Sequence, residues 1–375
     1  MLEKIKRPAW VEINLKDLEY NFNIIREKIG NNVKILAVVK ADAYGHGAVV
    51  ILKRLLEIGN IDMAAVSTIY EGIELRDAGI KIPILLISDI TILECEKAIE
   101  YELTPMIQNY SLSEKINEVG RKRNKVIKCH IRIDTTHGSP GIEAESFPTF
   151  YERVSRLKNI EIQGIFTQLY FAYGDNEETV RAQIEEFKQV LDYLKNINVK
   201  IPLIHAASTP ALFKYPEVHF DMVRTGAALY GIPFDEKHDK RLKTIISIKS
   251  EIISIKELSN GASFGYGEGH IIEEPVQIAT IPLGYADCYF LLHLEKGEVL
   301  IQGKRFKVIG KVCMDHFQVD ISHENNIAIG DEVVILGRQG DQTISITEIM
   351  KKADLSISTC ETICMTGNRL PKRYI

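Results

Sequence analysis

The chain has 375 residues, 45% of them hydrophobic and 26% charged, and a formal net charge of −5. That composition is ordinary for a soluble globular protein and long enough for two substantial cores. No dense basic stripe is present to neutralise phosphates, which argues against a general nucleic-acid binder and favours small-molecule chemistry.

Residues 1–13 contain no apolar stretch of signal-peptide length, and Ile82–Ile87 is far too short to span a bilayer, so a cytoplasmic location is expected. Ala9–Trp–Val–Glu–Ile13 reads as a strand ahead of the first helix. Between residues 33 and 224, short β-rich runs recur near 33–39, 62–67, 82–87, 103–107, 126–133, 160–167, 201–206 and 219–224, with helix-period stretches between them. The clearest of these is Val180, Ile184, Phe187, Leu191 and Leu194, a stripe that needs one buried helix face. Eight strands alternating with helices predict a closed parallel (β/α)8 barrel, with an open doubly wound sheet as the alternative. From about residue 243 the texture changes to alternating runs such as Ile245–Lys256 with glycine-containing turns, which predicts a mainly β domain. The expected organisation is a barrel over 14–242 and a β domain over 243–375. Six cysteines, at 95, 129, 288, 313, 360 and 364, show no paired ligand spacing. They read as reduced, buried thiols, and no metal is expected.

The strongest local signal is Val33–Lys–Ile–Leu–Ala–Val–Val–Lys40 followed by Ala–Asp–Ala–Tyr44–Gly–His–Gly. A cationic side chain closes a buried strand where it opens into a glycine-punctuated turn, which sets an amine at the carboxyl end of that strand. In a barrel, such ends converge on one mouth. A second signal is Gly261–Ala–Ser–Phe–Gly–Tyr266–Gly–Glu–Gly, where glycines flank a tyrosine and leave the phenol uncovered. It does not match the G-x-G-x-x-G dinucleotide fingerprint. His205–Ala–Ala–Ser208–Thr209 ends a strand and opens a helix with hydroxyl residues, which suits a phosphate.

Taken together, these segments resemble the alanine racemase family, and the likeness runs from Arg7–Pro–Ala–Trp to Arg369–Leu–Pro–Lys–Arg–Tyr374. The resemblance implies pyridoxal phosphate (PLP) carried by Lys40, with Tyr44 on its phosphate. It implies a second acid/base at Tyr266 and a substrate-entry tyrosine at Tyr285, in Ile281–Pro–Leu–Gly–Tyr285–Ala–Asp287. Racemisation needs two such groups, because a proton leaves one face of a planar adduct and returns on the other. In Phe220–Asp–Met–Val–Arg224–Thr–Gly226–Ala227, Arg224 falls where family members face the pyridine nitrogen, and Gly226 and Ala227 fall where backbone binds phosphate. His205, Ser208 and Thr209 join the cofactor set. A guanidinium can only donate, which keeps the ring nitrogen unprotonated and favours racemisation over transamination or decarboxylation. Gly310–Lys–Val–Cys–Met314–Asp315 resembles the segment that reaches the neighbouring subunit's site and contacts substrate. A head-to-tail homodimer with shared sites is therefore implied, and the strand within 1–13 is expected to join the carboxyl-terminal domain.

Several positions depart from the family pattern. Gln168 stands where relatives have a histidine stacked on the ring, and Ser208 stands for an expected asparagine. Asp134–Thr–Thr–His137–Gly–Ser139 replaces a segment whose arginine contacts the substrate carboxylate, and Ser139 occupies that arginine's position. Arg132 replaces a lysine and is expected to take over part of the carboxylate contact. An Arg132–Asp134 same-face ion pair is the plainer alternative. Cys360 replaces a bulky tyrosine, which predicts a wider cofactor and substrate pocket. Together with His137 and Ser139, it motivates a broader-specificity alternative that accepts serine or larger, basic amino acids. A non-catalytic PLP-binding protein and a decarboxylase of the same cofactor fold class are the remaining alternatives. Alanine is the expected substrate.

Overall fold

A computed structural model describes residues 7–136, 138–174, 176–235, 240–264, 270–288, 297–352, 358–366 and 369–375. The chain divides into two compact units, Glu19–Leu242 and a second that joins Met1–Leu18 to Lys243–Ile375.

The first unit is a closed parallel barrel whose strands fall within or beside all eight predicted runs. Its strands in order are Lys34–Val38, Met63–Val66, Ile84–Leu86, the pair Leu103–Thr104 and Met106–Ile107, Ile127–Asp134, Ile160–Thr167, Leu203–His205 and Met222–Thr225. The fourth position is split by Pro105, which has no N–H to give to a ladder. Leu103–Thr104 therefore pairs back to Ile84–Leu86, while Met106–Ile107 pairs forward to Ile127–Asp134. Closure comes from Met222–Thr225, which pairs in parallel with Lys34–Val38. Across the remaining seam, Asp221 N–H donates to Ile204 O at 3.0 Å and Arg224 N–H to Ala207 O at 2.9 Å. These bonds decide for the barrel over the open sheet.

Alternate residues of the strands fill the barrel interior, where Leu36, Val38, Met63, Ala65, Leu85, Leu203 and Met222 form one buried cluster. The neighbours Ile35 and Ala37, also buried, take the opposite face, as the pleat's two-residue period demands. Helix Glu177–Asn196 buries Val180, Gln183, Ile184, Phe187, Val190 and Leu194. The predicted stripe holds except at Leu191, which is half-buried, because the face rotates toward the i+3 positions Gln183 and Val190.

In the second unit, Ile246–Glu251 alternates buried and half-buried residues along a ten-stranded sheet. The strand Ala9–Ile13 pairs antiparallel with it, Ala9 opposite Ser250 and Ile13 opposite Ile246. Ala9–Ile13 also pairs in parallel with Lys372–Tyr374, so both ends of the chain enter the same sheet.

Gly164 marks a tight point inside the barrel, where a Cβ would come within 2.3 Å of the His130 Nδ1. Gly164→Ala is therefore expected to overpack the interior at a cost of about 1–3 kcal/mol, read as a lowered midpoint of thermal unfolding, with the β unit's strands unchanged in hydrogen exchange.

Candidate functional site

The residues following six of the barrel strands enclose a cavity of about 380 Å³. Lys40 and Tyr44 come from the first strand's exit, Arg132 from the fifth, Gln168 from the sixth, Ser208 and Thr209 from the seventh, and Arg224, Gly226 and Ala227 from the eighth. Nine of the residues expected from sequence to bind cofactor or substrate thus face one space. Its described lining holds three cations, Lys40, Arg132 and Arg224, and no carboxylate. Such a cavity favours anionic ligands.

Lys40 is delivered by an unusual backbone. Ala41, Asp42, Ala43 and Tyr44 have φ of 51, 53, 53 and 57°, a complete left-handed turn built from non-glycine residues. Each costs about 1–2 kcal/mol in that region, which L residues ordinarily visit singly. The turn closes its own hydrogen bonds, Ala43 N–H to Val39 O and Gly45 N–H to Ala41 O, both 2.9 Å. His46 is fully buried and its Nδ1–H donates to Ala43 O at 2.7 Å. The His46 ring stacks on Tyr230 at 4.7 Å, and the Tyr230 hydroxyl donates to Val38 O at 2.7 Å. Asp42 Oδ1 accepts from Ala48 N–H at 2.7 Å, which ties the turn to helix Ala48–Ile58. Gly226 lies against the turn's last residue, since a Cβ there would come within 2.9 Å of the Tyr44 hydroxyl.

Arg224 is held from behind. Its Nη2 donates to Thr167 O at 2.7 Å, Gln168 Oε1 at 2.9 Å and Ala206 O at 3.2 Å, while Nη1 donates to His205 O at 3.0 Å and His205 Nδ1 at 3.1 Å. Because guanidinium has no acceptor, His205 must accept at Nδ1 and carry its proton on Nε2. That proton is donated to His130 Nδ1 at 2.9 Å, which leaves His130 with its own proton on Nε2. The arginine thus sets both tautomers. Burial, then the Arg224 charge, keep both imidazoles neutral, holding His130 down at about 3 and His205 well below its ordinary value. Burial, with Arg132 nearby, pushes Arg224 down to about 9, which still leaves it charged at neutral pH. His205 is fully buried and supports Arg224 without lining the cavity. Gln168 takes its place as an acceptor for the arginine.

Arg132 does not pair with Asp134 among the described residues. Its Nη2 donates to the Tyr170 hydroxyl at 2.7 Å. Asp134 is occupied instead by its own loop, accepting from Thr136 N–H, Thr136 Oγ1, Gly138 N–H and Ser139 Oγ at 2.8 Å each and from Ser139 N–H at 3.1 Å. Burial raises its carboxyl, but these donors outweigh it and bring it down to about 2. The Ser139 hydroxyl is therefore committed to Asp134, and Pro140 rather than Ser139 lines the cavity. His137 lies outside the described residues.

In the β unit, Tyr285 N–H donates to Cys313 O and Ala286 N–H to Met314 O, both at 3.1 Å, so the Tyr285 and Met314 segments lie side by side. Met314 is 52% exposed, and Asp315 pairs with Arg369 at 2.5 Å. Cys360 is half-buried in helix Thr359–Cys364. Tyr266 lies outside the described residues.

The residues that sequence reading passed over are Val38, Ile87, Ser88, Pro140, Phe166 and Tyr170, all of which line the cavity. Their signal was available, since each sits at or just past the carboxyl end of a barrel strand, where such sites are built.

Two family models match the chain, the alanine racemase N-terminal domain over residues 13–233 and the alanine racemase C-terminal domain over residues 245–374. The alanine racemase of Halothermothrix orenii is 36% identical over 376 residues, covering 100% of this chain and 98% of that protein. That of Clostridium kluyveri is 36% identical, with 98% of this chain and 94% of that protein covered. Among solved structures, the alanine racemase of Clostridium difficile 630 superposes with a TM-score of 0.93 at 33% identity, covering 99% of this chain and 97% of that one. With matches spanning both units, and with a lysine and an arginine facing one cavity at the mouth of the barrel, the chain belongs to the alanine racemase family.

Proposed function

We propose that the chain is a PLP-dependent racemase that interconverts L- and D-alanine with Lys40 and Tyr266 as its two acid/base groups. The observation that carries this reading is a cavity with three cations and no carboxylate, centred on a lysine presented by a strained turn, in a chain of this family. The residues fit the cofactor. Ser208 Oγ is buried and has no hydrogen-bond partner among the described residues, and at Gly226 any side chain would close the space beside Tyr44. Tyr44, Ser208, Gly226 and Ala227 would hold the phosphate, Arg224 the ring nitrogen and Lys40 the aldehyde carbon. When bound, PLP supplies an electron-withdrawing ring that acidifies the α C–H of an attached amino acid.

The chain's own residues do the rest. Arg224 would donate to the ring nitrogen without giving up its proton, which would limit electron withdrawal and restrain side reactions. Arg132, already hydrogen-bonded to Tyr170, is the cation available for the substrate carboxylate, where Ser139 offers no charge. The Lys40 amine moves the proton on one face and the Tyr266 phenol on the other. In this reading Tyr266, Met314 and Asp315 come from a second copy of the chain in a head-to-tail dimer, and the exposure of Met314 supports that. The barrel spans 14–242 and the β domain 243–375, joined by the strand within residues 1–13. A cytoplasmic setting is part of this reading, and among the described residues no helix is long and apolar enough to cross a membrane.

The test is entry of solvent deuterium at the α-carbon across a panel of L- and D-amino acids. Alanine is expected to exchange fastest. Exchange centred on serine or basic amino acids would move the substrate to the broader-specificity alternative, and cofactor binding without exchange of any amino acid would overturn the racemase reading. Tyr266→Phe is expected to slow exchange of one enantiomer by about 10²–10⁴, more than the other; equal small effects on both would remove Tyr266 from the chemistry. Arg132→Ala is expected to raise KM for alanine about tenfold or more, with the cofactor's visible absorbance unchanged. An unaltered KM would leave the carboxylate contact to another residue.

A further inference from the structure

Glu71 lies in a different element from every residue discussed above, yet it reaches the backbone that presents Lys40. It is the fourth residue of Thr68–Ile–Tyr–Glu71, where Thr68 caps helix Ile69–Asp77. One carboxylate oxygen does the expected work of a capping box: Oε2 accepts from Ser67 N–H at 2.8 Å and Thr68 N–H at 3.0 Å. The other oxygen does something a capping box does not require. Oε1 accepts from Ala41 N–H at 2.6 Å.

Ala41 is the residue directly after Lys40 and the first of the four left-handed ones. The amides that open a helical turn have no partner within it, whichever its hand. The Ala41 amide therefore needs an acceptor from outside, and a carboxylate is the strong choice because a charge-assisted bond is shorter and roughly twice as strong as a neutral one. A second carboxylate, Asp42 Oδ1 on Ala48 N–H, ties the turn's second residue to the helix that follows. The two acids thus grip a segment whose left-handed backbone L residues disfavour. Neither acid lines the cavity, so they act on its cations' placement without neutralising the space.

We propose that Glu71 is a positioning residue, which holds the left-handed turn at its entry and thereby fixes where the Lys40 amine and the Tyr44 hydroxyl stand. The inference rests on the functional reading only in giving that placement a purpose, namely capture of PLP by Lys40.

The experiment uses the full chain and three variants: Glu71→Ala, Glu71→Gln and Thr68→Ala. The first readout is amide hydrogen exchange without added ligand. In Glu71→Ala, peptides covering residues 39–47 are expected to exchange at least tenfold faster while the other barrel strands keep their rates. Glu71→Gln, close in shape and with one carbonyl oxygen left for three amide donors, is expected to move the same way by less. Thr68→Ala removes the helix cap but leaves Glu71 on Ala41, so it is expected to loosen residues 68–72 and spare 39–47. The second readout is the rate at which added pyridoxal phosphate is trapped on Lys40 by borohydride, expected to fall at least tenfold in Glu71→Ala and little in Thr68→Ala. Wild-type exchange over 39–47 in both Glu71 variants would overturn the proposal. So would equal loosening of that segment by Thr68→Ala, since Glu71 would then act through its helix alone. Failure of the wild-type chain to trap PLP on Lys40 would count against the cofactor reading, and the exchange data would still decide the role of Glu71.

Discussion

Four consecutive L residues in the left-handed region are the constraint around which this site is organised. A strand running out of the barrel would ordinarily continue into a right-handed helix or an extended loop, and either would carry Tyr44 elsewhere. Reversing the hand over 41–44 brings the segment round so that Lys40 and Tyr44 line the same cavity. The conformation persists only because its surroundings over-determine it. Those surroundings are specific: Glu71 on the Ala41 amide, His46 on the Ala43 carbonyl, Tyr230 on the Val38 carbonyl and Asp42 on the Ala48 amide.

Beside the turn, on the strand that closes the barrel against Lys34–Val38, stands a cation that has been made immobile. Arg224 spends its Nη donors on three carbonyls, an amide oxygen and an imidazole, and the imidazole is itself fixed by a second one deeper in the barrel. A buried guanidinium is tolerated because its Nη hydrogen bonds are satisfied, and among the described residues no carboxylate pairs with it to cancel its charge. Its positive field therefore remains available to a ligand. Arg132 adds a second guanidinium, steadied by Tyr170, so the site gathers positive charge on rigid strand ends.

The departures from the family pattern acquire physical content here. Gln168 supplies an acceptor to Arg224 and so preserves the arginine's position without a titrating group. Ser139 does not substitute for a cation at all, since it closes the loop around Asp134. The charge that remains at this end of the cavity belongs to Arg132.

Much of this was legible in the chain itself. The eight barrel strands follow from β-rich runs at regular spacing, because strand periodicity and turn residues are local properties. Lys40 and the 205–209 segment stand out because strand ends in a barrel share one mouth, whereas Arg224 stands out only through the resemblance to the alanine racemase family. What no local pattern carried is the hand of the 41–44 turn, since Ala–Asp–Ala–Tyr has no intrinsic preference for it. It exists through contacts from residues as distant as 71 and 230. The partners of Arg132 and Asp134 were likewise undecided by spacing, which puts both on one strand face. Only the folded loop shows Asp134 saturated by five donors and Arg132 turned to Tyr170. Local pattern and family likeness were enough to point to nine of the residues at the barrel mouth. Tertiary structure decided how each is held there, because hydrogen-bond partners far apart in the chain meet only once the barrel has closed.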